Sequence, residues 1–143
     1  MNTWVLVANA SEARIFGTDR IGEAMECVKE FSHPESRGKG SELASDRPGH
    51  YQSKGSGHGA FVESSDPKEY EADRFASELA KELDKGRTDK AYRKLVVVAA
   101  PHFYGLLNSH MNKHTRAMIV NDIQKDLTDC VARDLPIRLK EYV

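Results

Sequence analysis

The acids Asp19, Glu26, Asp122, Asp126 and Asp129 are the side chains whose type could support phosphoryl chemistry. A nuclease working through two divalent cations needs carboxylates gathered at one point, where the metals clamp the attacking and leaving oxygens. An acid on the first strand is the usual anchor of such a site, and this chain has Asn9 there. Nothing in the spacing of the other acids forces them together, so a metal-dependent nuclease stands only as an alternative. His110 and His114 are four residues apart, which could put two imidazoles on one helical face, but the glutamate of a zinc-protease motif is missing between them. They read as partly exposed histidines near a helix C-terminus, where positive charge is favoured. His102 stands beside Pro101 at a helix start, and no serine or cysteine lies in a nucleophile-elbow pattern to pair with it. Cys27 and Cys130 form neither a redox pair nor half a zinc site and read as two free thiols. These patterns assign no catalytic, cofactor-binding or metal-ligating residue.

A second kind of chemistry is offered by residues 32–65, which break every periodicity and hold six of the ten glycines. Loops between elements usually run to about 4–6 residues, so a stretch of this length is functional, disordered or both. Gly49 to Lys54 fails the phosphate-loop pattern, and the Gly55-Ser56-Gly57-His58-Gly59 run does not link a strand directly to a helix. The segment nevertheless carries Arg37, Lys39, Arg47 and Lys54 against Glu42 and Asp46, with Tyr51, Gln52 and His58 among them. Cations and a stackable aromatic on a glycine backbone at Gly55, Gly57 and Gly59 could follow a phosphate chain and fold on it, with salt-sensitive affinity. These ten residues are the candidate RNA contacts. A solvated, protease-sensitive linker is the competing reading.

The elements that would hold such a loop are legible on either side of it. Thr3 to Asn9 and Ala13 to Thr18 are apolar and β-branched around a polar break, which predicts a hairpin. Ala24 to Phe31 alternates without a purely apolar face, as suits an edge strand. Asp66-Pro67-Lys68-Glu69 supplies an N-cap, a proline at the first helical position and an acid in the first turn. The helix it opens shows Ala72, Phe75, Ala76, Leu79 and Leu83 on one face, and Gly86 is expected to close it. Leu95 to Ala100 reads as a central strand covered on both faces, followed by an amphipathic helix from His102 to Asn112. Ala117 to Ile123 is a fifth strand, and a last helix is expected to include Leu135, Leu139 and Tyr142, with Pro136 in its first turn. The order β-β-β-α-β-α-β-α, with the long Gly-rich loop between strand 3 and helix 1, predicts an α/β fold with a mixed sheet of ribonuclease H-like topology.

At 143 residues the chain is the size of one domain, 1–143, with the flexible loop 32–65 inside it. Twenty-one Lys and Arg against 22 Asp and Glu leave a net charge of -1, so any basic patch must be local. The start of the chain lacks a charged n-region and its apolar stretch is too short to span a bilayer, from which a cytoplasmic location and no membrane insertion are expected. A half-covered third strand makes a homodimer by edge pairing conceivable.

Five segments together, Ala8 to Phe16, Asp46 to Gly49, Asp66 to Ala76, Ala99 to Leu107 and Lys125 to Thr128, resemble the bacterial host attachment proteins in the right order over nearly the whole chain. That family is similar to the middle domain of archaeo-eukaryotic peptide-chain release factors, which has a ribonuclease H-like fold and a Gly-Gly-Gln loop. The resemblance implies a ribosome- or RNA-associated factor in translation or ribosome rescue, with the ribosome, tRNA or rRNA as partner. The family name implies instead an interaction or adhesion factor with a protein partner. No Gly-Gly-Gln is present, and Gln52 precedes the glycine run, so no catalytic residue is carried over and peptidyl-tRNA hydrolysis is not expected.

Overall fold

The computed structural model describes residues 2–33 and 66–143. Strands β1 (Thr3–Ala8), β2 (Glu12–Thr18) and β3 (Glu26–Ser32) form an antiparallel meander. Helix α1 (Pro67–Thr88) leads to β4 (Lys94–Val98), and α2 (Pro101–His110) with the short α3 (Lys113–Arg116) leads to β5 (Ile119–Ile123). A 3-10 turn at Ala132–Asp134 then runs into α4 (Leu135–Lys140). The sheet has the order β3-β2-β1-β4-β5, with β1 and β4 parallel and β4 and β5 parallel. The chain is therefore α/β with a mixed five-stranded sheet.

Period-2 alternation on β1 decides where the helices go. Trp4, Leu6 and Ala8 face α1 and α2, packing with Phe75, Leu79, Leu83, Phe103 and Leu107. Val5 and Val7 face the other way, onto Phe16, Val96, Val98, Leu135 and Leu139 under α4. β4 is buried on both sides, as its unbroken apolar run predicts. β3 is the exposed edge, carrying Glu26, Lys29 and Glu30, with Lys29 Nζ donating to Glu82 Oε1 at 2.8 Å. Charges of this kind, and the bulge where its pairing with β2 shifts at Ile15/Phe16, discourage an edge from pairing with another chain.

Several expectations are corrected. Gly86 does not end α1, which runs on to Thr88. The glycine is buried inside the helix because the Trp4 ring lies against it, and a Cβ there would meet two ring carbons at 2.6 Å. Trp4 cannot retreat, since its ring rests 4.8 Å from that of Tyr92, whose hydroxyl donates to Leu83 O at 2.7 Å. Burial pushes the Tyr92 phenol up to about 12. Gly86→Ala should therefore lose about 1–2 kcal/mol in chemical denaturation despite alanine's helix advantage of about 1 kcal/mol. The helix from Pro101 stops at His110, and the pattern of residues 111–116 conceals α3, which Asn112 caps by accepting from Thr115 N at 2.8 Å. Arg116 donates to Asn108 O and Met111 O, satisfying carbonyls that the end of α2 leaves open. The last helix closes at Lys140, before Tyr142.

Candidate functional site at the carboxyl edge of the sheet

Strands β1, β3, β4 and β5 all end on one side of the sheet, and helices α1 and α2 begin there. The chain leaves the described region at His33 and re-enters it at Asp66 on that same edge. In open α/β sheets this is where ligands are bound. Four of the sequence segments singled out above meet at it.

Asn9, just past β1, organises the first part. Its Oδ1 accepts from Ser11 N at 2.9 Å, Ser11 Oγ at 3.2 Å and Glu12 N at 3.0 Å, which shapes the turn into β2. Its Nδ2 donates across the sheet to Thr128 Oγ1 at 3.0 Å and Asp126 Oδ2 at 3.3 Å. Thr128 in turn donates to Asp126 Oδ1 from its amide at 3.0 Å and its hydroxyl at 2.6 Å. Arg14 Nη2 completes the brace by donating to Thr128 O at 2.9 Å and Cys130 O at 3.0 Å. The residues around Asn9 and Asp126, far apart in sequence, are thus one unit. Burial alone would raise the Asp126 carboxyl, but donation from Thr128 and Asn9 outweighs it and holds the group below the usual carboxylate range.

The second part is a set of histidine-carboxylate pairs along the start of α1. Asp66 caps the helix by accepting from Lys68 N at 3.0 Å. His102 Nε2 meets both oxygens of Glu69, at 2.9 and 3.1 Å, and His110 Nε2 meets Asp73 Oδ1 at 2.9 Å, so α2 is tied to α1 at two points. On the other side His33 Nε2 lies 2.7 Å from Glu71 Oε1, its ring stacked 5.2 Å from that of Phe75. His33 N also donates to Ser11 O at 2.8 Å, which joins the end of β3 to the Asn9 turn. Neither His102 nor His110 shows a partner in the sequence. The partners were hidden because α1 and α2 lie side by side only once the sheet forms.

Among the described residues no group of three or more His, Cys, Asp or Glu is placed to hold a metal ion. Asp126 is drawn to an asparagine and a threonine, while Asp122 accepts from Gln124 Nε2 at 3.0 Å. His110 and His114 fall on different helices, α2 and α3, rather than on one face. The candidate RNA contacts Arg37, Lys39, Arg47, Tyr51, Gln52, Lys54, Gly55, Gly57, His58 and Gly59 lie outside the described residues.

Asp126 also has a pH signature. Its carboxyl binds a proton less readily folded than unfolded, so its contribution is present above pH ~4 and is lost as pH falls through the lower folded value. Asp126→Asn should flatten the acid limb of the stability curve below about pH 4, followed by urea denaturation at each pH.

No described helix is long and apolar enough to cross a membrane. Comparison with curated proteins returns no match. A family model described as "Protein required for attachment to host cells" matches residues 4–139, which includes both parts of the edge just described. By that match over nearly its whole length, the chain belongs to the host attachment family.

Proposed function

We propose that this protein acts in attachment to host cells as an interaction factor, with the carboxyl edge of its sheet as the contact surface. The observation that carries the reading is the family match over residues 4–139, whose span takes in the braced Asn9 unit and the acidic start of α1. Between residues 66 and 78 five acids stand against two basic residues, an excess of negative charge along the first half of α1. The described polar groups there satisfy one another, which suits a rigid recognition surface better than a reacting centre.

The test is adhesion of cells lacking the gene, complemented with wild type or with the charge reversal Glu12→Lys/Glu69→Lys at the edge. Loss of adhesion on deletion, rescue by wild type and failure of the reversed variant are expected, together with antibody access to the protein on intact cells. Full adhesion of the deleted strain would overturn the reading.

A second reading keeps the ribosome or RNA as target and a cytoplasmic location. It is favoured by the sheet order β3-β2-β1-β4-β5, which we read as ribonuclease H-like, and by a long segment placed between β3 and α1 as in the release-factor middle domain. Ribosome co-sedimentation at low salt, lost when residues 37–60 are removed, would support it; equal failure of both chains would exclude it.

A further inference from the structure

The second half of α1 and the segments that follow it are charged the other way from its start. Residues 81–94 hold six Lys and Arg against three acids, and residues 110–116 add Lys113 and Arg116 with no acid. A groove of about 380 Å³ lies there between the second half of α1 and the junction of α2 with α3. Lys81, Lys85 and Thr88 form one stripe of its wall by helical spacing, facing His110 and Asn112. Both lysines are exposed, and neither makes an ion pair among the described residues.

The one carboxylate among the described residues of the groove is already paired. Asp84 Oδ1 accepts from Asn112 Nδ2 at 3.0 Å, Arg87 Nη2 at 2.8 Å and Nε at 3.1 Å, and Thr115 Oγ1 at 3.2 Å. Asn112 first and then Arg87 hold its carboxyl below the usual range. With Arg87 on Asp84 and Arg116 on the carbonyls of α2, these two arginines beside the groove are committed to structure. Among the described residues the charge left for a ligand is carried by lysines, point charges without the arginine fork that reads bases or phosphates in two contacts.

We infer that this groove binds an anionic polysaccharide, its sulfate or carboxylate groups on Lys81 and Lys85 and its hydroxyls against Thr88 and Asn112. Among the described residues no Phe, Tyr or Trp lines the groove, so they offer a single-stranded nucleic acid no stacking platform there. The inference rests on the attachment reading for the source of such a polymer. Its test is made on the purified chain and so stands apart from the adhesion result.

The probe is a labelled heparin oligosaccharide titrated with the full chain at several salt concentrations. Lys81→Glu/Lys85→Glu should weaken binding at least about tenfold and lower the log-log salt slope by about two, one per cation removed. Reversal of Lys68 and Arg133, exposed cations outside the groove lining, should change affinity by less than about twofold. Both pairs are on the surface, and unchanged thermal unfolding will show that the fold is kept. Single-stranded RNA of equal charge should compete weakly. Heparin binding unaffected by the Lys81/Lys85 reversal, binding lost only when Arg37, Lys39, Arg47 and Lys54 are neutralised, or RNA displacing heparin more effectively than unlabelled heparin does would each overturn the inference.

Discussion

Phe75→Ala is expected to remove about 3–5 kcal/mol from the unfolding free energy, the range for emptying a fully buried aromatic site. Phe75 is 0% exposed and stands where three elements meet. It is part of the apolar face of α1, its ring lies 6.1 Å from Phe103 of α2, and it stacks under His33 at the end of β3. The cavity would open beneath the Glu71–His33 pair, both of whose side chains are 12% exposed. On the proposed attachment reading, adhesion should fall together with stability, because the start of α1 would no longer be fixed against the strands. Phe75→Leu keeps most of the volume and should cost under about 1.5–2 kcal/mol. Urea denaturation measures both, and hydrogen exchange should show the largest loss of protection in the first turns of α1. Equal costs for the two variants, or a cost for alanine below about 1 kcal/mol, would mean that the site collapses freely and that Phe75 does not hold this junction.

Much of the body of the protein is written in local pattern. The apolar run from Leu95, the alternation on either side of Asn9 and the Asp66-Pro67 start each carry their own periodicity or capping chemistry, and each forms where that chemistry puts it. The errors fall where a residue's meaning depends on what packs against it. Gly86 carries the signal of a helix end, yet its role is to admit the Trp4 ring, which approaches from the strand that opens the chain. Residues 111–116 hold too short a helix for periodicity to register, and Asn112 reads as a cap only once Asp84 and Thr115 are beside it. The carboxyl edge was half legible: every segment that forms it could be picked out by its residues. That Asn9 reaches Asp126 and Thr128, however, follows from β1 and β5 ending together on the two sides of β4. Spacing along the chain holds no trace of that, because the contact spans 117 residues.

Asn9 is the residue at which this long-range geometry can be tested most sharply. Asn9→Ala removes an acceptor used by two backbone amides and a hydroxyl, and a donor shared by Asp126 and Thr128. At about 0.5–1.5 kcal/mol net for each hydrogen bond, reduced where water can substitute, the expected cost is about 2–3 kcal/mol. Asn9→Asp is the more informative change. The aspartate keeps the oxygen that shapes the turn but sets a second oxygen where Nδ2 stood, 3.3 Å from Asp126 Oδ2. Two carboxylates at that separation cannot both ionise without cost, so the pair will hold a proton to higher pH in the folded chain than in the unfolded one. The sign of the pH dependence then reverses. In the wild-type chain Asp126 contributes stability that grows as pH rises through the acid range, whereas in Asn9→Asp the pair loses stability as pH rises. The variant should accordingly lie furthest below wild type near pH 7 and approach it towards about pH 4, as followed by denaturant midpoints across that range. A constant deficit at every pH would show that the two side chains part in solution, and with them the claim that Asn9 and Asp126 brace one edge.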